Sequence, residues 1–248
     1  MKAKMYRKYR AICWVAVLSC FLWIGGCSLT RPSAGKTVSG VKVKRLVVLG
    51  FRPALPEGAK PGVVRDPLSG SVCRAEPVPA DAARLMTDML FDKLVKAGTY
   101  ELIPPGQAMG IYHTIVVTDE GVGLPPREIA QKVGNSFGAD AVMAGCIYRW
   151  RERKGSDYAS EQSASVAFVL LLVRPSDGAV IWRSRFDKTQ RSLFENLLDA
   201  GTFMKSGGRW FTAGKLAAMG LDEMLGTLPG ASAKKPKKPV EKGGREEG

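Results

Sequence analysis

The sequence predicts an α/β fold: an α+β sandwich with helices packed on a mixed sheet that ends in a C-terminal antiparallel hairpin. Three observations predict it. Between residues 41 and 151, apolar runs of strand length alternate with segments of helical spacing. From Ser165 onward, two β-rich runs are separated only by Arg174–Ala179, which carries the turn signal Ser176-Asp177-Gly178. The composition is 45% hydrophobic and 8% aromatic, so a core of globular size can be filled.

The elements follow in order. Val41 to Leu49 reads as a strand, alternating in Val41-Lys42-Val43-Lys44 and fully apolar in Leu46-Val47-Val48-Leu49. Residues 52–78 hold several prolines and glycines, and they read as a long loop. Ala82, Leu85, Met86, Met89, Leu90, Leu94 and Ala97 fall at helical spacing after Pro79, and Gly98 suits the position just past a helix end. Thr99–Pro104 reads as a second short strand. Gln107–Val117 is ambiguous, because Gly110 and the β-branched run from Thr114 weaken a helix.

Pro125-Pro126 introduces a helix to about Phe137, with Ile129, Ala130, Val133 and Phe137 on one face. Ala141–Arg151 and Ser165–Val173 are strands. Val180–Phe186 follows as another, with Val180, Trp182 and Phe186 pointing one way and Arg183 and Arg185 the other. A short helix is predicted from Ser192 to Ala200, where Ser192 and Glu195 form a capping box. The last helix runs from Thr212 to Leu225, with Leu216, Met219 and Leu225 inward. The order is β-α-β, α, β-β-β, α, with no internal repeat.

The N-terminal stretch is of another kind. Lys2, Lys4, Arg7, Lys8 and Arg10 precede an uncharged apolar run, Ala11–Ile24, which leads to Gly25-Gly26-Cys27. A basic start, a short apolar run and small residues make a secretory signal. The apolar run falls short of the roughly 20 residues that a spanning helix needs. An uncleaved anchor and plain secretion remain the alternatives. Ile24-Gly25-Gly26-Cys27 resembles the lipobox of bacterial lipoprotein precursors. That resemblance implies cleavage before Cys27, with diacylglycerol and a palmitate-type N-acyl chain on the cysteine. Several chains together anchor stably where a single one does not. Ser28 resembles the non-acidic sorting residue that directs such proteins to the outer membrane, facing the periplasm. The chain then divides into a signal peptide (1–26), a flexible tether (27–40), one α/β domain (41–228) and a basic disordered tail (229–248).

The net charge of +14 is concentrated outside the domain. Without the basic n-region and the Lys-rich tail, a modest excess remains. In an exported chain this fits anionic envelope polymers or simple solubility better than nucleic acid. Cys73 and Cys146 are the cysteines left to the domain, and in an oxidising compartment they are candidates for a disulfide. Their spacing matches no zinc pattern. His113 is the only histidine, so neither a multi-histidine metal centre nor an obvious triad is available within one chain. Gly121-Val122-Gly123 lacks the remainder of a phosphate loop. No catalytic residue, metal or cofactor is expected.

Two polar stretches are candidate partner-binding sites. Tyr148, Arg149, Trp150 and Arg151 interleave aromatics with arginines, residue types favoured at interfaces. Asp187, Lys188, Thr189, Gln190 and Arg191 crowd polar groups immediately after a buried strand. The structural alternatives are cross-strand ion pairs and a hydrogen-bonded loop.

Four segments carry a wider resemblance: Lys44–Phe51; Ala83–Gly98 followed by Tyr100-Glu101-Leu102-Ile103; Gly138-Ala139-Asp140-Ala141-Val142 with Gly145; and Leu172-Val173 to Trp182 with its Asp177-Gly178 turn. Together they resemble the fold shared by the N-terminal domain of the Tol-system propeller protein, the penicillin-binding-protein activator lipoproteins and the curli-secretion lipoprotein. The resemblance implies a non-enzymatic role: binding an envelope protein partner, activating a synthase, or assembling as a homo-oligomeric ring in export or assembly. A curli-type pore is not implied, because Gly110–Val122 is too short to supply two long amphipathic hairpins.

Overall fold

A computed structural model describes residues 42–118, 123–155, 160–190 and 211–230. The lipobox with Cys27, the tether, Arg191, the predicted helix 192–200 and the tail beyond Gly230 lie outside the described residues.

Among the described residues, nine strands and four helices follow one another. They are β1 (Arg45–Pro53), β2 (Gly62–Arg65), β3 (Val72–Ala75), α1 (Ala80–Ala97), β4 (Glu101–Ile103), α2 (Pro105–Val117) and α3 (Pro126–Ser136), then β5 (Ala141–Arg151), β6 (Lys154–Gly155), β7 (Ser160–Gln162), β8 (Ser165–Val173), β9 (Val180–Thr189) and α4 (Ala213–Leu225). The main sheet has the order β4-β1-β5-β8-β9. β1 runs parallel to β4 and β5, while β5, β8 and β9 are antiparallel neighbours. The α+β class and the mixed sheet are as the sequence predicts.

The connections place the layers. α1 lies between the parallel partners β1 and β4, whereas α2 and α3 lie between β4 and β5. α1 and α4 cover one face, where Met86, Leu90, Leu94, Leu216 and Leu221 meet Leu46, Val48, Met143, Phe168, Leu170 and Trp182. α2 and α3 cover part of the other face through Ala108, Ile129 and Val133 against Val47, Val142 and Val173. The rest of that second face lies under the β2–β3 hairpin: Leu68, Cys73 and Ala75 pack on Ala144, Cys146, Tyr148, Val169 and Leu171.

α1 ends where Gly98 turns left-handed at φ 61° and returns its N–H to Leu94 and Val95. Thr87 joins this helix to β1. Its hydroxyl donates to Ala83 O and accepts from the Phe51 N–H at 2.9 Å, beside the irregularity at Val48/Gly50. Asp140 ties the strand starts together, with Oδ2 accepting the Lys44 and Arg45 N–H groups at 2.8 and 2.9 Å. Those two backbone bonds hold its carboxyl below the usual range.

Three expectations need correction, and one ambiguous segment is resolved. Residues 52–78 are not all loop, since they contain the β2–β3 hairpin with its four cross-strand pairs. Gln107–Val117 is helix α2: Pro105 presets its first turn, and packing of Ala108, Ile111, Tyr112 and Ile115 overrides the weak propensity. The first strand starts at Arg45, since 42–44 are not strand. Val180 does not share a face with Trp182, because the register shift at Leu172/Val173 inserts Ile181 and turns Val180 toward the second face.

Candidate functional site

The second face carries polar residues that the first lacks, and one irregularity in β5 sets them out. Ala144 and Cys146 face the hairpin by strand alternation. At Ile147/Arg149 the register with β8 slips, so Arg149 stands opposite Ala167 and Tyr148 is the extra residue. Tyr148 and Arg149 therefore both serve the second face. Trp150, opposite Val166, joins the first.

Across the sheet from Arg149 stands Asp187 of β9, also opposite Ala167. Asp187 accepts from Arg149 Nη2 through one oxygen and from Arg185 Nη2 through the other. Arg149 Nε donates to Ser165 Oγ at 2.7 Å, and Ser165 Oγ shares a hydrogen with Thr189 Oγ1. Arg185 Nη1 reaches Cys73 Sγ at 3.6 Å. One hydrogen-bonded chain thus runs from Thr189 through Ser165, Arg149, Asp187 and Arg185 to Cys73, joining β9, β8 and β5 to the hairpin. Arg149 is about one-fifth exposed, and Arg185 and Asp187 about two-fifths. They form a rim rather than a pocket.

The predicted site residues thus separate into two groups. Arg149, Arg151, Asp187 and Thr189 retain surface, with Arg151 paired to Glu76 at 2.6 Å. Lys188 is half-buried. Tyr148, Trp150 and Gln190, also among the candidate partner-binding residues, are buried and offer a partner little surface. Trp150 Nε1 donates to Glu152, whose other oxygen accepts the Ala213 N–H at the start of α4. Gln190 Oε1 accepts the Phe211 N–H, so this side chain joins the end of β9 to the approach to α4. Cys73 and Cys146 face each other's element within one apolar cluster, and both are free thiols. Burial pushes the Cys146 thiol up to about 11. His113 is an exposed residue on α2, edge-on to Tyr112.

Sequence reasoning missed a small cavity of about 30 Å³ under the hairpin, lined by Arg52, Asp66, Cys146 and Tyr148 among others. Asp66 is buried there. Its carboxylate accepts from the Leu68 N–H and the Ser69 hydroxyl, and Arg52 stands 3.7 Å away. The Tyr148 hydroxyl has no hydrogen-bond partner within 3.5 Å. Burial drives its pKa far up, so it stays protonated. Asp66-Pro67 followed by Ser69-Gly70 is a turn signal that, read with the flanking valines, would have revealed this hairpin.

No protein-family model matches the chain, and no curated protein matches it. Solved structures do. The PelC dodecamer of Paraburkholderia phytofirmans is 14% identical, with a TM-score of 0.41 over 79% of this chain and 94% of that one. Lipoprotein GNA1162 of Neisseria meningitidis is 15% identical, with a TM-score of 0.39 over 66% and 98%. The LpoB C-terminal domain of Salmonella enterica is 15% identical, with a TM-score of 0.36 over 62% and 88%. At these scores the likenesses assign no function.

Proposed function

We propose that the chain is an outer-membrane lipoprotein of the bacterial envelope. It is held by lipid on Cys27, faces the periplasm, and binds another envelope protein without catalysing a reaction. The observation that carries this reading is Ile24-Gly25-Gly26-Cys27 after a basic, then apolar, N-terminal stretch. The rim of Arg149, Asp187 and Arg185 is the surface on offer to a partner. Its charges are preorganised by Ser165 and Cys73, so little ordering is lost on binding.

Two variants and one capture test this. Cys27→Ser is expected to lose the mass of the acyl chains and to leave the membrane fraction. A variant that keeps its mass and stays with membranes overturns the anchor. Crosslinking in native envelopes is expected to capture a second protein, and Asp187→Arg is expected to reduce that capture at least tenfold. Capture of this chain alone supports a second reading, a ring-forming subunit of an export or assembly complex. One feature favours that alternative: among the described residues, the ten-residue strand β9 has no neighbour on its outer edge. The size of the detergent-extracted protein separates the two.

A further inference from the structure

The β2–β3 hairpin buries one side and presents the other. Val64, Cys73 and Ala75 turn toward the sheet, and Val63, Arg65, Val72 and Arg74 turn to solvent. Val63 and Val72 are 74% and 58% exposed. The ladder sets Val63 directly opposite Arg74 and Arg65 directly opposite Val72. The outward face is therefore a square of two valines and two arginines, each valine beside a guanidinium.

Charge on this element has one sign at the surface. Between Gly58 and Ala75 the cations are Lys60, Arg65 and Arg74, all exposed. The sole acid in that span is Asp66, and its side chain is fully buried in the turn. There it accepts from Leu68 and Ser69, while Arg127 Nη2 holds Leu68 O at 2.6 Å. The Arg74 side chain has no ion-pair or hydrogen-bond partner among the described residues, and the Arg65 guanidinium donates only to Gly70 O. The turn that withdraws the acid also ties the hairpin to α3 through Arg127, and the hairpin stands out as a paddle.

We propose that this outward face docks on an anionic phospholipid surface. Guanidinium groups pair with phosphate oxygens in a forked geometry. Isolated valines beside them reach the boundary between headgroups and acyl chains, where apolar area and basic charge add in peripheral binding. An acidic protein would satisfy the arginines but would leave two valines of high exposure uncovered unless it brought an apolar patch of its own. The inference rests on the lipid-anchor reading in one respect. Cys27 precedes Lys42 by only 15 positions in the sequence, so lipid there would bring the fold to a bilayer.

The test uses residues 27–248, the chain left by the proposed cleavage, carrying Cys27→Ala, so that neither acyl chains nor the basic, apolar N-terminal stretch adds to the affinity read. It is mixed with vesicles of phosphatidylcholine alone, or of phosphatidylcholine with phosphatidylglycerol, and sedimented. Binding is expected to the anionic vesicles and not to the neutral ones, and to fall as salt is raised. Arg65→Gln with Arg74→Gln is expected to weaken it by about fivefold per arginine, roughly 30-fold for the pair. Val63→Ser with Val72→Ser is expected to weaken it roughly tenfold while leaving the salt dependence in place. Arg84→Gln, which removes an exposed charge from α1, is expected to leave it unchanged. Equal binding to both vesicle types, no binding to either, or an equal loss in Arg84→Gln overturns the proposal. Vesicle binding that fails while crosslinking still captures a protein sinks this inference and leaves the adapter reading standing. Vesicle binding by the Cys27→Ala chain, together with a native Cys27 that carries no acyl mass in cells, keeps this inference and overturns the lipid anchor.

Discussion

The two faces of the sheet are built from the same strands and solve different problems. The first is covered by α1 and α4 and is apolar nearly throughout, with Phe168 ringed by Phe51 and Phe186 at 5.6 and 5.3 Å. The second is shared between α2–α3 and a small hairpin. Where that cover runs out, Arg149, Asp187 and Arg185 stand at the border. Burial by helices leaves little surface for recognition. The half-covered face keeps arginines and a carboxylate in place at lower cost to the core, because their charges stay partly hydrated. The continuous helix-covered core lies on one side of the sheet, and the surface proposed for recognition on the other.

Breaking the first face gives the largest effect. Phe168→Ala opens a hole between two other rings and is expected to destabilise by about 3–5 kcal/mol. Denaturant unfolding reads this as a lower midpoint at unchanged slope. A loss below about 1 kcal/mol would mean that the face is less continuous than described.

Overpacking the same face has a smaller effect. A Cβ at Gly145 would lie 2.2 Å from the Phe51 ring, and Phe168 leaves that ring little room to retreat. Gly145→Ala is expected to cost about 1–3 kcal/mol, measured the same way. A neutral result would show that the Phe51 ring can shift.

The second face predicts the smallest change, with the opposite sign. Tyr148→Phe removes a buried hydroxyl that has no oxygen or nitrogen partner and keeps the ring packed on Ala144 and Val169. Stability should hold or rise by up to about 1 kcal/mol. A marked loss would reveal a strong bond from that hydroxyl, with the Cys146 thiol the nearest candidate.

How far the sequence spoke depended on the same division. Ala141–Arg151 and Ser165–Val173 were legible to the residue, because a strand buried on both faces is an unbroken apolar run. α1 was legible for its spacing and its terminal glycine. The β2–β3 hairpin was hidden because its strands are four residues long, with arginines and valines alternating among prolines and glycines. α2 was hidden because its propensity is poor and its packing is tertiary. At the site, Arg149 was found by its place among interleaved aromatics and arginines, and Asp187 as part of a polar cluster following a buried run. That they pair with each other, and that Tyr148 and Trp150 point to opposite faces, depends on one extra residue in β5. A slip of register cannot be read from a single strand, since its partner defines it.

Tyr100 closes the fold in a way that bears on everything attached to it. Its hydroxyl donates to Pro229 O at 2.6 Å, while the next residue, Glu101, donates its N–H to Lys44 O. The incoming and outgoing ends of the folded unit are thereby clasped at one pole, beside the shortest strand of the sheet. Lys44 and Pro229, 185 positions apart in the sequence, are thus joined through two neighbouring residues, as the two ends of a belt meet at its buckle.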